Sequence, residues 1–261
     1  MNQAQKDRYA RQIRLQQIGE QGQQTILDST ALIVGMGGLG SPAAMYLAAA
    51  GIGKLIISDY DMVEISNLQR QIIHFDQSVG ENKVDSAKAT IEALNPDCKV
   101  EAIGYQIDGD ELKSTIEGVD IVLDCSDNFP TRFEVNRYCV ETGTALVSGA
   151  AIRLEGQIMN YQPSVEGPCY QCLYTQVYEN AETCEMEGIL GPVVGVIGTM
   201  QALQTLLILT GQGEPLIGRL LLLDAASMEW QGVKLRKNPA CPVCGGVKRE
   251  NVILTVEPES H

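Results

Sequence analysis

Three of the four glycines in LIVGMGGLGS, Gly35, Gly37 and Gly40, stand in G-x-G-x-x-G spacing directly after the apolar run 31–34 and before SPAAMYLAAA. In G-x-G-x-x-G at a strand-to-helix turn, each glycine has a job. The first permits the turn, the second lets a phosphate approach the backbone, and the third lets helix pack on strand. The helix N-terminus adds unpaired N–H groups and the positive end of its dipole, so an anion is favoured there. Asp59 follows 19 residues after Gly40, at the end of a second apolar run. That is the usual place for a carboxylate that takes a ribose hydroxyl. The loop lacks the Lys-Ser/Thr ending of a Walker A site. A bound nucleotide is predicted, and on these residues alone a dinucleotide satisfies the pattern.

Further residues point to a more highly charged ligand. ISNLQRQ at 65–71 follows Asp59 in a polar stretch at the predicted carboxyl end of the sheet. Arg70 offers phosphate oxygens a planar fork of donors. Asn67 offers an amide to a phosphate or to its own loop. Lys83 opens the next predicted helix. Arg11, in RYARQI, is a cation that can arrive from elsewhere, another subunit included. Each alone is also explained as a solvated surface charge. Together with the glycine loop they favour a triphosphate over a pyrophosphate bridge. Asp127, in DCSDN at 124–128, is expected to project from a strand end over the crevice. There it would hold a divalent metal beside phosphate oxygens, or else cap the following helix. Asp124 reads as structural.

Cysteines form a second group. Cys169 and Cys172 make one C-x-x-C, and Cys241 and Cys244 make another, with 68 residues between the two pairs. Two such knuckles fit a closed tetrahedral zinc site of structural type, with all four cysteines as ligands; two separate redox pairs are the alternative. Cys98, Cys125 and Cys139 lie in or beside predicted core elements and are expected to be inert. Cys184, in the polar stretch NAETCEMEG, is a thiol that can act as a nucleophile or do nothing.

Placing these groups requires an alternation of strands and helices. The pattern predicts a helix over 6–28, a strand at 31–34, and a helix at 41–50 with Ser41 as N-cap and Pro42 at N1, the first helical position. A strand at 54–58, a helix at 82–94, a strand at 100–103 and a helix at 109–116 follow. A strand at 119–123, a helix at 130–142 and a strand at 145–147 complete a doubly wound, Rossmann-like α/β sheet. After Gly149 the rhythm changes. Residues 152–162 read as a hairpin, 193–210 as a long apolar helix, and 219–224 with 228–234 as two antiparallel strands that extend the sheet. One domain over 1–261 is expected, with a nucleotide-binding half to about 150, a partner-binding and zinc half to about 246, and a tail at 247–261. Formal net charge is −14, which excludes general attraction to nucleic acid or anionic membranes. The N-terminus has no signal-peptide core, and the apolar stretch 189–210 carries glycine, proline and glutamine. It is therefore expected in a core or a subunit interface, and a soluble cytoplasmic protein is predicted.

RYARQI, GMGGLG, SDYD, SNLQRQ, the Lys83 helix, DCSDN and both knuckles occur together and in order. In this combination the chain resembles the ThiF/MoeB family, bacterial relatives of the ubiquitin-activating enzyme. The resemblance implies ATP- and Mg2+-dependent adenylylation of the C-terminal glycine of a ubiquitin-like sulfur carrier ending in Gly-Gly. It implies ATP contacts at Gly35, Gly37, Gly38, Gly40, Asp59, Ser66, Asn67, Arg70, Lys83, Asp127 and Asn128. By the same resemblance, Asp127 positions Mg2+, Arg70 and Lys83 bind phosphates, and Arg11 reaches the ATP of a neighbouring subunit, so a homodimer is implied. Cys169, Cys172, Cys241 and Cys244 carry Zn2+, and Cys184 matches a sulfur-handling position in some members. VSGAAIRLEGQI at 147–158 is more similar to members that serve molybdopterin synthase than to thiamine-pathway members. A thiamine-pathway or tRNA-thiolation carrier is the alternative. Sulfur is expected from a separate donor protein, because no further domain follows the second knuckle. Two readings of another class compete. An NAD-dependent oxidoreductase leaves Arg70, Lys83 and Asp127 unexplained, and a non-catalytic zinc-stabilised interaction module leaves the nucleotide loop idle.

Overall fold

A computed structural model describes residues 1–174 and 187–245. One eight-stranded sheet runs through both halves of the chain in the order β3-β2-β1-β4-β5-β6-β7-β8. The parallel part comprises β1 (Thr30–Val34), β2 (Lys54–Ser58), β3 (Lys99–Ile103), β4 (Ile121–Asp124) and β5 (Ala145–Ile152). Then β6 (Glu155–Tyr161), β7 (Arg219–Asp224) and β8 (Glu229–Lys234) add antiparallel strands.

The apolar runs explain this arrangement. In β1, Ala31 and Ile33 face one core cluster while Leu32 and Val34 face another. A strand buried on both faces needs an unbroken apolar run, as the central parallel strands show. One face is covered by α3 (Gly19–Asp28), α4 (Gly40–Ala50), α5 (Lys83–Leu94) and the long apolar helix Gly191–Thr210. The other is covered by α6 (Gly109–Glu117) and α7 (Phe129–Thr142). The edge strand β8, EWQGVK, is almost wholly exposed and carries charge at both ends, Glu229 and Lys234, which discourages edge pairing.

Three expectations change. The helix expected over 6–28 is broken into α1 (Gln3–Arg8), α2 (Ala10–Ile13) and α3. Tertiary anchoring explains the break. Buried Tyr9 packs its ring against Gly51 and its hydroxyl accepts from Asn95 Nδ2 at 2.9 Å. Gln12 and Gln23 both donate to the Ala50 carbonyl at the end of α4. A continuous helix of ~34 Å would carry these groups past their partners. Secondly, Ser41 does not cap α4 and Pro42 is not its first residue. The helix begins at Gly40, and the Ser41 hydroxyl and N–H both donate back to the Gly37 carbonyl, at 2.6 and 3.0 Å. The glycine loop is thus already the first helical turn. Thirdly, β5 extends beyond 147 to Ile152, because its second half pairs with β6, so the hairpin expected within 152–162 is instead the β5–β6 pair turning at Arg153 and Leu154.

The helix Gly191–Thr210, here α9 after the short α8 (Tyr170–Leu173), lies over β5 and β6 and stacks on α4. It is the one helix among the described residues long and apolar enough to cross a membrane. Its small residues are used for packing instead. A Cβ on Gly198 would overlap the Leu39 carbonyl and come within 2.7 Å of Pro42 Cγ. Ile197 packs where Gly156 of β6 leaves room, and Gln201 where Gly149 of β5 does. Gly198→Ala therefore forces α9 off α4 and should cost about 1–3 kcal/mol by overpacking. Urea unfolding checks this, and an unchanged midpoint and slope would refute the contact.

Candidate active site and cysteine cluster

The helices after β1 and β4 leave the sheet on opposite faces, so a crevice opens between these strands at their carboxyl ends. A cleft of about 1120 Å³ lies there, with the glycine loop, Asp59, Asn67, Arg70, Lys83, Asp127 and Asn128 in its wall. Gly35 has φ +95°, and a Cβ there would sit 2.7 Å from the Cys125 carbonyl; a Cβ on Gly40 would overlap the Gly35 carbonyl. Gly38 packs under Val194 of α9. Gly37 faces open space on the cleft side, with only Gln71 near it.

Asp59 ties this loop to the next one. Its Oδ2 accepts the Met36 N–H at 2.7 Å and its Oδ1 accepts the Asp61 N–H at 2.9 Å. Burial holds its carboxyl above the ordinary value, while Lys83 and the two N–H groups pull it back. A carboxylate has about four lone-pair sites, so room remains for a ligand hydroxyl. Lys83 is the first residue of α5, only 6% exposed, and its ammonium pairs with Asp61 at 2.7 Å.

The SNLQRQ stretch is a short 3-10 turn, Ile65–Asn67, closed by its own polar groups. Buried Asn67 accepts the Glu64 N–H at 3.1 Å, and Ser66 Oγ donates to Glu64 Oε2 at 3.1 Å. Arg70 donates to the Ser66 carbonyl at 3.0 Å, which holds its guanidinium on the cleft wall. In this structure Asn67 and Ser66 build the turn that presents Arg70.

Asp127 stands exposed beyond β4; the one hydrogen bond to its carboxylate among the described residues is a 3.4 Å contact from Asn128 Nδ2. Capping of α7 falls to Asn128, whose Oδ1 accepts the Thr131 N–H at 3.0 Å. Asp124 is buried and structural, as its apolar setting suggests. It accepts Ser126 Oγ at 2.6 Å and Ser148 Oγ at 3.0 Å and pairs with Arg132 at 3.5 Å. Arg132 also donates to the carbonyls of Ser126 and Gly149. Burial alone would lower the Arg132 pKa, but Asp124, with smaller contributions from Tyr170 and Asp127, holds it above the ordinary value.

Sequence reasoning passes over Asp61, Gln71, His74 and Arg132. Gln71 is 4% exposed in the cleft wall, and its Oε1 has no hydrogen-bond partner among the described residues. Asp61 and Gln71 end the SDYD and SNLQRQ stretches, but no spacing in the sequence singles out these two, His74 or Arg132. Arg11, by contrast, is exposed on α2 and does not line the cleft of its own chain. Cys184 and the tail 247–261 lie outside the described residues.

The two knuckles meet. The four Sγ atoms of Cys169, Cys172, Cys241 and Cys244 all lie within 4.8 Å of one another. A tetrahedral ion with bonds of ~2.3 Å sets sulfurs roughly 3.8 Å apart, so the cluster fits a four-sulfur metal site. Burial and the neighbouring sulfurs push the Cys169 thiol up. Against burial, the N–H groups of Cys244 and Val243 draw the Cys241 thiol down. A Cβ on Gly245 would lie 2.5 Å from the carbonyls of Pro239 and Cys241, so that knuckle turn requires glycine. Cys98, Cys125 and Cys139 are buried, and burial pushes all three thiols up, Cys98 to about 12. They are poor nucleophiles.

His74 supports the glycine loop from below. Its Nε2 meets the Met36 carbonyl at 3.1 Å and its Nδ1 meets Ser86 Oγ at 3.0 Å. A carbonyl only accepts, so the neutral ring carries its proton on Nε2. Burial lowers its pKa from 6.5; the Met36 carbonyl opposes the shift and Lys83 adds to it. The unfolded chain therefore takes up a proton near pH 6.5 that the folded chain refuses. Stability from neutral His74 is complete above that pH and is lost as pH falls through the lowered folded value. His74→Gln should flatten this part of the stability–pH curve, measured by urea unfolding. A curve of unchanged slope would contradict the assignment.

The ThiF family profile matches residues 9–243. The sulfur carrier protein ThiS adenylyltransferase of Escherichia coli K12 is 43% identical over 245 residues, covering 94% of this chain and 97% of its own length. The molybdopterin-synthase adenylyltransferase of the same strain is 44% identical over 238 residues, covering 91% and 96%. The SAMP-activating enzyme E1 of Haloferax volcanii is 44% identical over 241 residues, covering 92% and 88%. Among solved structures, E. coli MccB with AMPCPP and MccA superposes with a TM-score of 0.80 at 23% identity, over 91% of this chain and 74% of that one. That likeness concerns the fold alone. With the glycine loop, the cleft and the knuckles in family order, the chain belongs to the ThiF family.

Proposed function

We propose that this enzyme uses ATP to adenylylate the C-terminal glycine of a ubiquitin-like sulfur carrier. The observation that supports this best is the single cleft lined by the glycine loop, Arg70, Lys83 and Asp127. An oxidoreductase has no use for that set of cations and carboxylate. The relatives' names span two pathways at 43% and 44% identity, and VSGAAIRLEGQI favours the carrier of molybdopterin synthase.

The chemistry follows from the residues. A carboxylate acylates poorly because oxide is a poor leaving group. An oxygen of the carrier carboxylate attacks the α-phosphorus, and the bond from that phosphorus to the α–β bridging oxygen breaks. Pyrophosphate leaves and an acyl-adenylate forms. The attacking carboxylate is already ionised at neutral pH, so no general base is needed. The glycine-loop N–H groups and Asp59 hold the AMP half. Arg70 and Lys83 face the charge that grows on the departing pyrophosphate. Asp127, with an exposed carboxylate, is suited to Mg2+, which would share that charge when bound. Zn2+ is the metal proposed for the four-sulfur cluster, where it would brace α8 against the second knuckle.

A homodimer completes the proposal. Arg11 is presented outward by the docked N-terminal helices, and α9 leaves Val196 and Leu203 half-exposed as an apolar stripe. In a two-fold pair each Arg11 can enter the other chain's cleft.

ATP–pyrophosphate exchange with candidate carriers tests the reaction. Exchange with the molybdopterin-type carrier is expected, and exchange with none would sink the proposal. Asp127→Ala should abolish exchange and leave the melting temperature within a few degrees of the parent. Arg11→Ala and Asp127→Ala chains, each inactive alone, should regain about a quarter of parental activity when mixed and reassembled, since half of random dimers carry one intact site. No regain would place Arg11 outside the neighbour's site. Cys172→Ser with Cys244→Ser should strip bound zinc in elemental analysis and lower stability; retained zinc at one ion per chain would refute the four-cysteine assignment.

A further inference from the structure

The ion pair between Lys83 and Asp61 lies inside the cleft. Lys83 is 6% exposed, and among the described residues its ammonium has one direct partner, Asp61 Oδ2 at 2.7 Å. Asp59 faces it at longer range, and neutral His74 and Tyr60 are its other titratable neighbours. The two members of the pair are unequal. The Asp61 side chain is 53% exposed on the DYD loop, whereas the Lys83 side chain is 7% exposed. Asp61 can turn its carboxylate to water at little cost, while Lys83 cannot leave. The backbone of Asp61 is fixed at both ends. Its N–H donates to Asp59 at 2.9 Å and its carbonyl accepts the Lys83 N–H at 3.0 Å. The carboxylate therefore stays within reach of the ammonium after letting go.

We propose that Asp61 is a displaceable counter-ion. It satisfies Lys83 in the empty cleft, yields it to the β- and γ-phosphates of the nucleotide, and takes it back as pyrophosphate leaves. A buried ammonium without a partner is strongly destabilising, so an empty cleft needs a substitute anion. A substitute that is half-solvated and singly charged is displaced by a polyphosphate more easily than a buried one. Recapture of Lys83 then favours release of the product. Asp61 is a positioning residue, since it acts on the phosphates through Lys83. The inference rests on the proposed use of the cleft for a triphosphate.

The test is pyrophosphate binding to the full-length chain in Mg2+, by calorimetry and thermal shift, for the parent, Asp61→Asn, Lys83→Met and the double variant. Without ligand, Asp61→Asn should melt lower than the parent. It should bind pyrophosphate about tenfold more tightly, since the competing anion is gone, and show a larger ligand-induced rise in melting temperature. With saturating carrier, kcat and the KM for ATP should fall together as product release slows. Asp61→Glu, which keeps the charge, should restore parental binding. On the Lys83→Met background, Asp61→Asn should no longer tighten binding. Unchanged or weaker pyrophosphate binding in Asp61→Asn overturns the proposal, and weaker binding recovered by excess Mg2+ would make Asp61 a metal ligand instead. If Asp61→Asn does not fold alone, refolding with magnesium pyrophosphate should recover it, and failure to recover counts against the proposal. A parent that binds neither ATP nor pyrophosphate overturns the triphosphate reading itself. A parent that binds both while Asp61→Asn matches it overturns only the counter-ion.

Discussion

The close approach of Gly40 to the Gly35 carbonyl, where a Cβ would overlap the oxygen, draws the end of β1 and the start of α4 into one turn. No side chain fits between them, so the helix begins inside the glycine loop, and its first turn lies at the crevice wall. The rest of the cleft is arranged around that approach. Asp59 pins the loop by the Met36 N–H, and His74 holds the Met36 carbonyl from the opposite side. Gly38 admits Val194, and Gly198 admits Leu39 and Pro42, so α9 braces the same turn. The apolar helix and the nucleotide loop are thus one packed unit, and a change on either is felt by the other.

Charge in two ion pairs follows one rule: each buried ion has an opposite ion within reach. Asp124 has Arg132 and two serine hydroxyls; Lys83 has Asp61. The two pairs differ in exposure and therefore in use. The Asp124–Arg132 pair is closed from water on both sides and grips two carbonyls, which fixes the loop that carries Asp127. The Lys83–Asp61 pair has one solvated member and so can open. Structural and reactive electrostatics lie side by side and are told apart by solvent access. The cysteine cluster uses a third solution, four sulfurs around a common centre, to bring together two segments far apart along the chain.

Much of the fold is legible in the chain. The apolar runs at 31–34, 54–58 and 119–123 lie within, or nearly coincide with, the observed strands, because central parallel strands need unbroken apolar stretches. The glycine spacing and Asp59 locate the loop, and the paired C-x-x-C motifs locate the cluster. The N-terminal helices read as one in the sequence, since Tyr9, Gln12 and Gln23 act through partners at Gly51, Ala50 and Asn95 that are far along the chain. Ser41 reads as a cap because hydrophobic pattern does not reveal that the helix starts inside the glycine loop.

Sequence by itself determined the residue types at each strand end and therefore the class of chemistry they suit: backbone donors, two cations and a carboxylate apt for a polyanion, with four thiols set apart. Local spacing suffices within the glycine loop and within each C-x-x-C, whereas Lys83, Asp127 and the two knuckles meet only through the fold. Tertiary structure alone decided which of those groups are occupied. Asn67 closes its own turn, Asn128 caps α7, Arg132 pairs beneath Asp127, and Asp61 holds Lys83. Each choice depends on burial and on a partner brought near by folding. No reading of separation along the chain contains either quantity.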